Sequence, residues 1–595
     1  MQKAVTSMLT PALAVVVLAA KALTVALRFG DGAAGGLGTP LAPLALIHQD
    51  LWLILIFGAG ETALATLAHS RPALNSLHRV LIRVAYALVV VCVAINVPVA
   101  RLFSTPATFA FLHAMGNAVG DSARVFLTPI NVGAPLAIGA LALVYRPIRL
   151  PPGRIPVGAF AVGMVAALAG GAAVAHVPTM GLHRNAVITL VRTSAAHYMA
   201  PPPANDPSPL SPACAPAEGD AADLLDLRGA ARNRNVVLII LESTAARFLT
   251  AYGARREVTP NLTALARDAV LFQHAYAAYP ESIKGLFSML CARAPIAGGQ
   301  AAAWGAGSTA CDALPAGLAD AGYKTALLHA GRFAYLGMNA VVRDRGFHVL
   351  EDGASIGGAF SSSFGVDEPA TVRRLLAFVD GLQPSEKFFA VYMPIAGHHP
   401  YHAPGDGARP FAEDTPADAY ANDLFVGDAA IGLLRDGLVR RGLDARTLYV
   451  VVGDHGEAFF EHEGNFIHSL FLYEENVRVP FLIAAPGLMR GTRRAPQLAS
   501  ALDVAPTILD LLGLPPRAGH QGRSLLPPVP RLVTFFTDQG VPQAAVREGR
   551  WKMIDDRESG RAQLFDLDAD PDERTNLAVA HPDRIRRYRA CLAGL

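Results

Sequence analysis

Two stretches of the sequence decide the fold, NVVLIILES at residues 235–243 and LYVVVGDHGE at residues 448–457. Each is a short apolar run, rich in β-branched residues, that ends abruptly in acidic residues. Such runs are typical of strands buried on both faces of a parallel sheet. Similar runs occur at Thr325–Leu328, Phe388–Met393, Phe481–Ala485 and Leu532–Phe536, with helical patterns at Thr371–Val379 and Ala429–Leu438. The sequence therefore predicts an α/β domain around a largely parallel central sheet.

Acidic side chains and a histidine stand at the ends of the two quoted strands. Glu242 follows the first strand, and Asp454 and His455 follow the second. In a parallel sheet the ligand site lies outside the carboxyl ends of the strands, so these groups are expected to converge. Two carboxylates and an imidazole can hold a divalent metal with an open position. The alternative for each strand end, taken alone, is that its acidic residues only begin the next turn or helix.

The segment FQHAYAAYPESIKGLFSML, at residues 272–290, provides a candidate nucleophile. It predicts an exposed turn at Ser282 that leads into an apolar helix. A hydroxyl there can attack phosphorus or sulfur if a metal lowers its pKa, and the helix N-terminus stabilises an anion. Lys284 is expected to add positive charge beside it as a substrate-binding residue. The alternative is that Ser282 is only a helix cap.

Histidines cluster around the same predicted strand ends. His398 follows the strand Phe388–Met393 after a short turn, and His468 follows the acidic end of the later strand. A leaving alcohol needs a proton and a substrate anion needs donors, so both are candidate catalytic residues. His399, His402 and His462 are interpreted as surface residues. One imidazole with carboxylates and a hydroxyl favours a single Zn or Mn ion over Ca.

The first third of the chain has the composition of a membrane domain. Of 595 residues 52% are hydrophobic and 17% charged, and the mean hydropathy is +0.32. A bilayer core of about 30 Å needs about 20 helical residues. Five segments have that length, and we predict transmembrane helices near residues 6–27, 44–68, 82–100, 127–145 and 155–177. The net charge of +2 argues against a nucleic-acid partner.

The charges that flank these segments predict their orientation. One set of connections carries most of the basic residues, namely Lys3, Arg71, Arg79, Arg83, Arg146, Arg149 and Arg154. That side is expected to be cytoplasmic. Five crossings then place the rest of the chain outside the cytoplasm, which predicts a multi-pass inner-membrane protein with a periplasmic catalytic domain. The predicted divisions are 1–177 for the membrane domain, 178–232 for a linker that is Pro-rich at 200–215, and 233–595 for the catalytic domain.

The cysteines give a prediction that depends on this topology. Cys92 lies in the third apolar segment, so it cannot pair with the exported domain. Cys291 and Cys311 flank a loop rich in Gly and Ala directly after the candidate nucleophile helix. We predict a disulfide between them in an oxidising compartment. Cys214 and Cys591 lie near the two ends of the domain and are expected to form a second bridge.

Six pieces of sequence, in order, resemble the alkaline phosphatase and sulfatase superfamily over residues 233–580. They are NVVLIILES, TPNLTALARDAVLFQHAYAAYPES, GHHPY, VVVGDHGE, VRVPFLIAAPG and LFDLDADPDERTNLA. Sulfatases proper have paired aspartates after the first strand and a C-x-P-S-R motif, and this chain has neither. A single acidic residue, a hydroxyl nucleophile and preceding membrane spans are similar to lipoteichoic acid synthases and lipid A phosphoethanolamine transferases. Those families use threonine where this chain has Ser282.

The resemblance implies roles for particular residues. The implied metal ligands are Glu242, Ser282, Asp454 and His455, and Ser282 is also the implied nucleophile. His329 matches a substrate-pocket histidine of these families, as do His398 and His468. The Trp and Arg that follow the first of these histidines in lipoteichoic acid synthases have no counterpart here, and Arg332 is a candidate anion-binding substitute.

The resulting hypothesis is a membrane-anchored, metal-dependent transferase. It would move a phosphoryl head group, of the phosphoethanolamine or phosphoglycerol type, from a phospholipid to an envelope glycan or lipid through a covalent Ser282 intermediate. A sulfatase or phosphodiesterase-type hydrolase with the same site is the alternative within enzymes. Two other classes are a catalytically inactive membrane scaffold or receptor and a transporter. Transport would involve Glu61 and Lys21, the ionisable residues inside predicted spans.

Overall fold

The apolar N-terminal segments form a helical bundle in the computed structural model of the chain. The structure describes residues 6–29, 39–70, 75–114, 124, 126–144, 148–150, 157–199, 214–297 and 311–594. The bundle helices are α1 (Thr10–Phe29), α2 (Ala42–Ser70), α3 (Asn75–Phe103), α4 (Phe109–Ala114), α5 (Pro129–Val144), α6 (Val157–Ala173) and α7 (Ala186–Met199). Helix α2 packs along α6, α3 packs along α5, and α1 contacts both α2 and α3.

Three of these helices, α1, α2 and α3, are long and apolar enough to cross a membrane. They coincide with the first three predicted spans, so the N-terminal region has the composition and length of a membrane anchor. The fourth and fifth predicted spans are shorter as helices. Helix α5 has 16 residues and α6 has 17. At 1.5 Å per residue they measure only about 24 and 26 Å, which is less than the core of a bilayer.

The two charges inside the predicted spans have structural partners. Glu61 accepts hydrogen bonds from the backbone N–H groups of Leu9 (2.8 Å) and Thr10 (3.0 Å), so it caps the start of α1 from a neighbouring helix. Lys21 donates to the carbonyl oxygen of Leu182 at 2.6 Å and lies 3.3 Å from Asp50. Both contacts stabilise the bundle, and neither requires a transport function.

The two ends of the bundle make different contacts. At one end, strand β1 (Thr6–Met8) pairs antiparallel with β2 (Ile148–Leu150). At the other end, Ser104 donates to the carbonyl oxygen of Gly464 in the α/β domain at 3.1 Å. Arg28 donates to Ser104 at 3.0 Å at the same place. The α/β domain is therefore attached to the end opposite the β1–β2 pair.

The predicted α/β domain is present, and its main sheet is mostly parallel. Its strands are β3 (Asn235–Leu241), β4 (Ala269–Tyr276), β5 (Tyr323–His329), β6 (Val349–Asp352), β7 (Lys387–Met393), β8 (Thr447–Gly453), β11 (Arg478–Val479), β12 (Phe481–Ala484) and β13 (Arg493–Ser500). The order is β11-β4-β12-β8-β3-β7-β5-β6, with β13 also paired to β4. Strands β3, β5, β6, β7 and β8 are mutually parallel, whereas β12 runs antiparallel to β8 and β4.

Helices cover both faces of this sheet, as the short, fully apolar strands predict. They are α8 (Pro260–Ala266), α9 (Ser282–Cys291), α10 (Leu314–Asp320), α11 (Met338–Val342), α12 (Gly353–Ile356), α13 (Glu368–Asp380), α14 (Pro416–Arg440), α15 (Glu474–Val477) and α16 (Val504–Leu511). One core contains residues of α9, α10 and α16, and the other contains residues of α8, α13 and α14. A hairpin of β9 (Ala458–Phe459) and β10 (Phe466–Ile467) follows β8.

A second sheet ends the chain, and it corrects one expectation. Strand β14 (Leu532–Thr537) does not join the main sheet but begins an antiparallel sheet with β15 (Gln543–Glu548), β16 (Trp551–Asp556) and β17 (Ala562–Asp566). An apolar run alone does not specify its partner strand. Helix α17 (Pro582–Cys591) packs on this sheet. Both predicted disulfides, Cys291–Cys311 and Cys214–Cys591, are confirmed.

Part of the predicted linker is folded. Helix α7 lies within it and contacts α3 and α4, and Leu224 and Leu227 are buried in a core of the α/β domain. The N–H group of Leu224 donates to the carbonyl oxygen of Leu526 at 3.0 Å. Of the Pro-rich stretch, residues 200–213 lie outside the described residues.

Candidate active site

The site begins at the carboxyl ends of β3 and β8, which are parallel neighbours in the middle of the sheet. Leu241 and Gly453 are paired at the last position of these strands. Glu242 and Asp454 are the next residues, and both carboxylates are buried. The N–H group of Asp454 donates to the carbonyl oxygen of Leu241 at 3.1 Å. The strand register alone therefore brings the two predicted carboxylates together.

The hydroxyl of Ser282 lies against this pair of strand ends. Its Oγ is 3.0 Å from each carboxylate oxygen of Glu242 and 3.2 Å from Nε2 of His455. Nε2 of His455 is 3.7 Å from Oε1 of Glu242 and 3.6 Å from Oδ2 of Asp454. The structure thus brings all four predicted metal-binding residues into one cluster. Ser282 is the first residue of α9, so the positive end of the helix dipole lies beside the hydroxyl.

The cluster fits a divalent metal, and its hydrogen bonds show why. Oδ1 of Asp454 accepts from the N–H groups of Ser243 (2.9 Å) and His455 (2.7 Å). Oδ2 of Asp454 is buried and has no hydrogen-bond partner among the described residues. A buried carboxylate oxygen without a partner is costly, and a cation would compensate it. Ligand atoms of Glu242, Asp454 and His455 all lie within 4.8 Å of one another.

The pKa values of these groups are consistent with a cation site. Burial raises the pKa of Asp454 to about 7. Burial, together with the nearby His468, lowers the pKa of His455 to about 4. In the absence of a cation, burial therefore disfavours the charged form of the carboxylate. A divalent ion would reverse this for Asp454 and would bind the neutral imidazole.

Glu457 was not among the predicted site residues, although it completes the GDHGE motif. It is fully buried, and burial raises its pKa to about 8. Its Oε1 accepts from the hydroxyl of Tyr401 at 2.5 Å, and Oε2 lies 2.7 Å from Nδ1 of His468. His455, Glu457 and His468 are also close enough to hold a metal. Both oxygens of Glu457 are already engaged, however, so the cluster with the unpartnered Asp454 oxygen is the better candidate.

A pocket opens in front of Ser282 and has two walls. The catalytic wall includes Glu242, Glu281, Ser282, His329, Arg332, Tyr335, His398, His468 and Gln539. The membrane-side wall comes from the end of α3 and the segment that follows it, and it consists of Val99, Phe103, Thr105, Pro106, Ala107, Thr108 and Phe111. The nucleophile thus faces a surface that the bundle supplies and that is mostly apolar.

Three of the predicted histidines lie on the catalytic wall, as does Arg332. Nδ1 of His329 lies 3.1 Å from the carbonyl oxygen of Met393 in β7, and burial lowers the pKa of this histidine. Nδ1 of His398 lies 2.6 Å from the carbonyl oxygen of His399. In His329, His398 and His468, Nδ1 faces an oxygen of the protein. The Nε2 atom of each ring is therefore the one that is available to contact a substrate.

His468 and Arg332 have different surroundings in the pocket. Burial and the nearby His398 lower the pKa of His468 to about 3, so its ring is neutral at physiological pH. Its ring centroid is 4.2 Å from that of His455. The guanidinium group of Arg332 donates to the carbonyl oxygen of Ser362 at 3.3 Å. The substrate roles of these residues stay predictions.

Lys284 is placed differently from the other candidates. Residues two apart on a helix do not face the same side, so its ammonium group turns away from Ser282. It lies 3.3 Å from Asp538 and 3.6 Å from Glu281, and it stands over the ring of Tyr279. Burial alone would lower the pKa of Lys284, but these neighbours hold it above its usual value. Its predicted contact with substrate has no support in this geometry.

The membrane-side wall is the largest feature that sequence reasoning missed. The stretch LFSTPATFAF at residues 102–111 has no periodic signal that distinguishes a pocket wall from the end of a span. Glu281 could have been found, because it directly precedes Ser282. Its Oε2 accepts from the amide of Gln539 at 2.9 Å, which ties the nucleophile turn to the second sheet.

The fold and this site together define a class of enzyme. An α/β sheet that presents a hydroxyl, two carboxylates and an imidazole at its carboxyl edge is the arrangement expected of a sulfatase-like hydrolase or transferase. The family model described as Sulfatase matches residues 234–514, and the model described as N-sulphoglucosamine sulphohydrolase, C-terminal matches residues 462–585. The α/β domain of this chain belongs to the alkaline phosphatase and sulfatase superfamily and is of the sulfatase-like enzyme type. Members of this superfamily bind a divalent metal.

Individual relatives match over limited lengths. Arylsulfatase K of Rattus norvegicus is 32% identical over 157 residues, which is 23% of this chain and 27% of the relative. Choline-sulfatase of Rhizobium meliloti is 39% identical over 146 residues, 22% of this chain and 27% of the relative. The chain thus spans about a quarter of the length of each.

The lipoteichoic acid synthase LtaP from Listeria monocytogenes shares the fold. Its TM-score is 0.51 at 18% identity, and the match covers 62% of this chain and 92% of that one.

Proposed function

We propose that this protein is a membrane-anchored, metal-dependent enzyme that transfers a phosphoryl head group from a phospholipid to an envelope glycan or lipid. The head group is of the phosphoethanolamine or phosphoglycerol type. The observation that carries this proposal is the composite pocket, in which Ser282 faces a wall that includes Phe103 and Phe111 of the bundle. An apolar surface beside the nucleophile suits the glycerol backbone and first methylene groups of a lipid, which gain free energy on leaving water.

The proposed topology has five crossings, a cytoplasmic N-terminus and a periplasmic catalytic domain, with divisions at 1–177, 178–232 and 233–595. The pairing of Thr6–Met8 with Ile148–Leu150 supports it, because both segments belong to the side with excess basic residues. The α/β domain contacts the opposite end of the bundle through Ser104 and Gly464. Helices α5 and α6 would cross the membrane together with flanking residues beyond their ends.

The proposed reaction has two steps, transfer of the head group to Ser282 and transfer from Ser282 to the acceptor. The Oγ of Ser282 attacks the phosphorus, and the bond from phosphorus to the diacylglycerol oxygen breaks. The proton of the Ser282 hydroxyl passes to Nε2 of a pocket histidine, His398 or His468, which hands it on to that oxygen, and diacylglycerol leaves as an alcohol. An acceptor hydroxyl then attacks the same phosphorus, the bond from phosphorus to Oγ of Ser282 breaks, and the acceptor's proton passes through the same histidine to Oγ, which restores the hydroxyl.

Other residues of the pocket have positioning and electrostatic roles in this scheme. Glu242, Ser282, Asp454 and His455 would hold one divalent metal, with Zn or Mn preferred, that lowers the hydroxyl pKa and offsets phosphate charge. Arg332 would donate hydrogen bonds to the phosphoryl oxygens, and His329 would contact the substrate through Nε2.

A second candidate is a hydrolase in which water replaces the acceptor, in particular a sulfatase that uses unmodified serine. The matches to arylsulfatase K and choline-sulfatase favour it, although each covers about a quarter of the relative. The nucleophile, metal and pocket would be the same in both candidates. Only the reacting group and its final acceptor distinguish them.

Intact-mass analysis of the full chain in detergent tests the proposal. After incubation with mixed micelles of phosphatidylethanolamine and phosphatidylglycerol, the wild-type protein should carry a phosphoryl head group on Ser282 and release diacylglycerol. The Ser282→Ala variant should carry none. Turnover of p-nitrophenyl sulfate with no adduct from either phospholipid would contradict the transferase and favour the sulfatase.

A further inference from the structure

The loop between α6 and α7 carries a buried arginine that bridges the two domains. Arg184 is 6% exposed. One guanidinium nitrogen donates to the hydroxyl of Thr105 at 3.3 Å and to the carbonyl oxygen of Gly540 at 2.7 Å. The other two nitrogens lie 2.6 and 2.7 Å from Oε2 of Glu558. A single side chain therefore contacts the bundle and the second sheet of the catalytic domain.

Its partners belong to the two walls of the pocket in front of Ser282. Thr105 is part of the membrane-side wall. Gly540 follows Gln539, which lies on the catalytic wall and donates from its side-chain amide to Glu281 at 2.9 Å. Glu281 precedes the nucleophile in sequence. Arg184 thus stands at the joint where the two walls meet, but it does not line the pocket itself.

The backbone that carries Arg184 is itself held in place. Lys21 of α1 donates to the carbonyl oxygens of Leu182 (2.6 Å) and Arg184 (2.8 Å). Gly181 has a φ of +91°, and a Cβ there would lie 2.6 Å from the carbonyl oxygen of Ser104. The close approach needs glycine. The loop is thus fixed to the bundle core on one side and packed against the start of the membrane-side wall on the other.

We propose that Arg184 is a positioning residue that sets the spacing between the membrane-side wall and the catalytic wall, and so selects membrane-embedded substrates. The inference rests on the proposed function. Arg184 suits this task because its planar group donates in several fixed directions at once. A small soluble ester needs only the nucleophile and metal residues, whereas a lipid must contact both walls.

The test compares two substrates in the full-length detergent-purified enzyme. Arg184→Ala should lower kcat/KM about 10-fold to 100-fold on phosphatidylethanolamine and phosphatidylglycerol micelles, mainly through KM. On bis(p-nitrophenyl) phosphate its kcat and KM should stay within about twofold of wild type. Arg184→Lys keeps a charge for Glu558 but cannot reach all three acceptors, so its loss should be intermediate.

Arg192→Ala is the matched control. Arg192 also contacts Glu558, at 3.2 Å, but its side chain is 65% exposed and has no contact with either wall in the described structure. Its kinetics should match wild type on both substrates. Equal losses on lipid and soluble ester in Arg184→Ala would show a merely structural role, and unchanged lipid kinetics would show no role. Either result overturns the proposal.

Hydrogen exchange separates failure of this inference from failure of the proposed function. Exchange at residues 103–111 and 536–541 should be faster in Arg184→Ala and unchanged in Arg192→Ala. If the wild type turns over the soluble ester but no lipid, the proposed function fails, and the exchange data still decide whether Arg184 holds the walls together. Unchanged exchange in Arg184→Ala overturns the inference regardless of the substrate.

Discussion

The two walls of the pocket are built in opposite ways. The catalytic wall has charged and polar groups whose positions are fixed by the ends of β3, β7 and β8, and the hydroxyl of Ser282 lies 3.0 Å from both carboxylate oxygens of Glu242. The membrane-side wall has no charged residue, and aromatic and small apolar side chains dominate it, with Phe103 and Phe111 in contact at a centroid distance of 5.3 Å.

This difference separates chemistry from recognition. A hydroxyl nucleophile and a cation site act on any phosphoryl or sulfuryl ester that reaches them, so the catalytic wall alone does not select a substrate. An apolar wall contributes binding energy in proportion to the apolar surface that it buries, and that energy is available only to a substrate with an apolar part. Changes to the two walls should therefore have different substrate dependence.

The largest effect is expected at the nucleophile. Ser282→Ala should lower turnover at least about 10⁴-fold on lipid and soluble substrates alike, because no covalent intermediate can form. The remaining ligands should still bind metal, measured by elemental analysis. Ser282→Thr should keep part of the activity, since the hydroxyl is preserved. Substrate-selective loss in Ser282→Ala would mean that the nucleophile lies elsewhere.

The next effect concerns the metal ligands. It decides whether the metal binds to Glu242, Asp454 and His455 or to His455, Glu457 and His468. Asp454→Asn removes the charge at the unpartnered oxygen, so metal content and turnover should both be lost. Glu457→Gln should weaken metal affinity by no more than about 10–100-fold, because Glu457 is not a ligand in this cluster and acts on it only through His468, whose ring centroid is 4.2 Å from that of His455. Elemental analysis after dialysis gives both answers. If Asp454→Asn kept stoichiometric metal and Glu457→Gln lost it, the metal would be assigned to His455, Glu457 and His468 instead.

The catalytic wall was predictable from sequence because several of its residues directly follow strands, and the apolar pattern of the sequence shows where those strands end. The apolar runs locate the ends of β3 and β8, and parallel pairing then brings Glu242 and Asp454 together without further information. Ser282 was expected at an exposed turn, whereas the structure makes it the partly buried first residue of α9. Lys284 shows the limit of that reasoning, because helix phase directs it away from the nucleophile.

The membrane-side wall was not predictable for the opposite reason. Thr105 lies more than 170 residues before Ser282 in the chain, and neither residue's neighbours indicate that the two meet. The contact depends on how the bundle docks on the catalytic domain, which involves Arg184, Gly464 and Glu558. Helices α5 and α6 differ from prediction because hydropathy marks an apolar segment but does not fix where its helix begins and ends.

A smaller, substrate-selective effect is expected from the membrane-side wall. Phe111→Ala should lower kcat/KM on phospholipid micelles about 10-fold, because a lost aromatic contact is worth roughly 1.5–3 kcal/mol when fully buried. Turnover of bis(p-nitrophenyl) phosphate should not change. Leu112→Ala is the control, since Leu112 is the next residue of α4 and is exposed. Equal losses for Phe111→Ala and Leu112→Ala would remove the distinction between the walls.

The smallest expected effect is a pH dependence of the stability of the folded protein, caused by the contact of Glu558 with Arg184 between the two walls. Burial alone would raise the pKa of Glu558, but His183 and Arg184 lower it to about 2 from its usual 4.5. A carboxylate with a depressed pKa stabilises the folded state fully above pH 4.5 and loses this contribution as the pH falls toward 2. The full shift in the pKa of Glu558 corresponds to about 3 kcal/mol of folding stability.

Thermal unfolding in detergent should therefore show wild type more stable than Glu558→Gln near neutral pH, with the difference in stability shrinking below pH 4.5. Comparison with Glu558→Gln at each pH removes the contribution of other carboxylates, so a difference that stays constant with pH would show that Glu558 does not hold the joint through its charge.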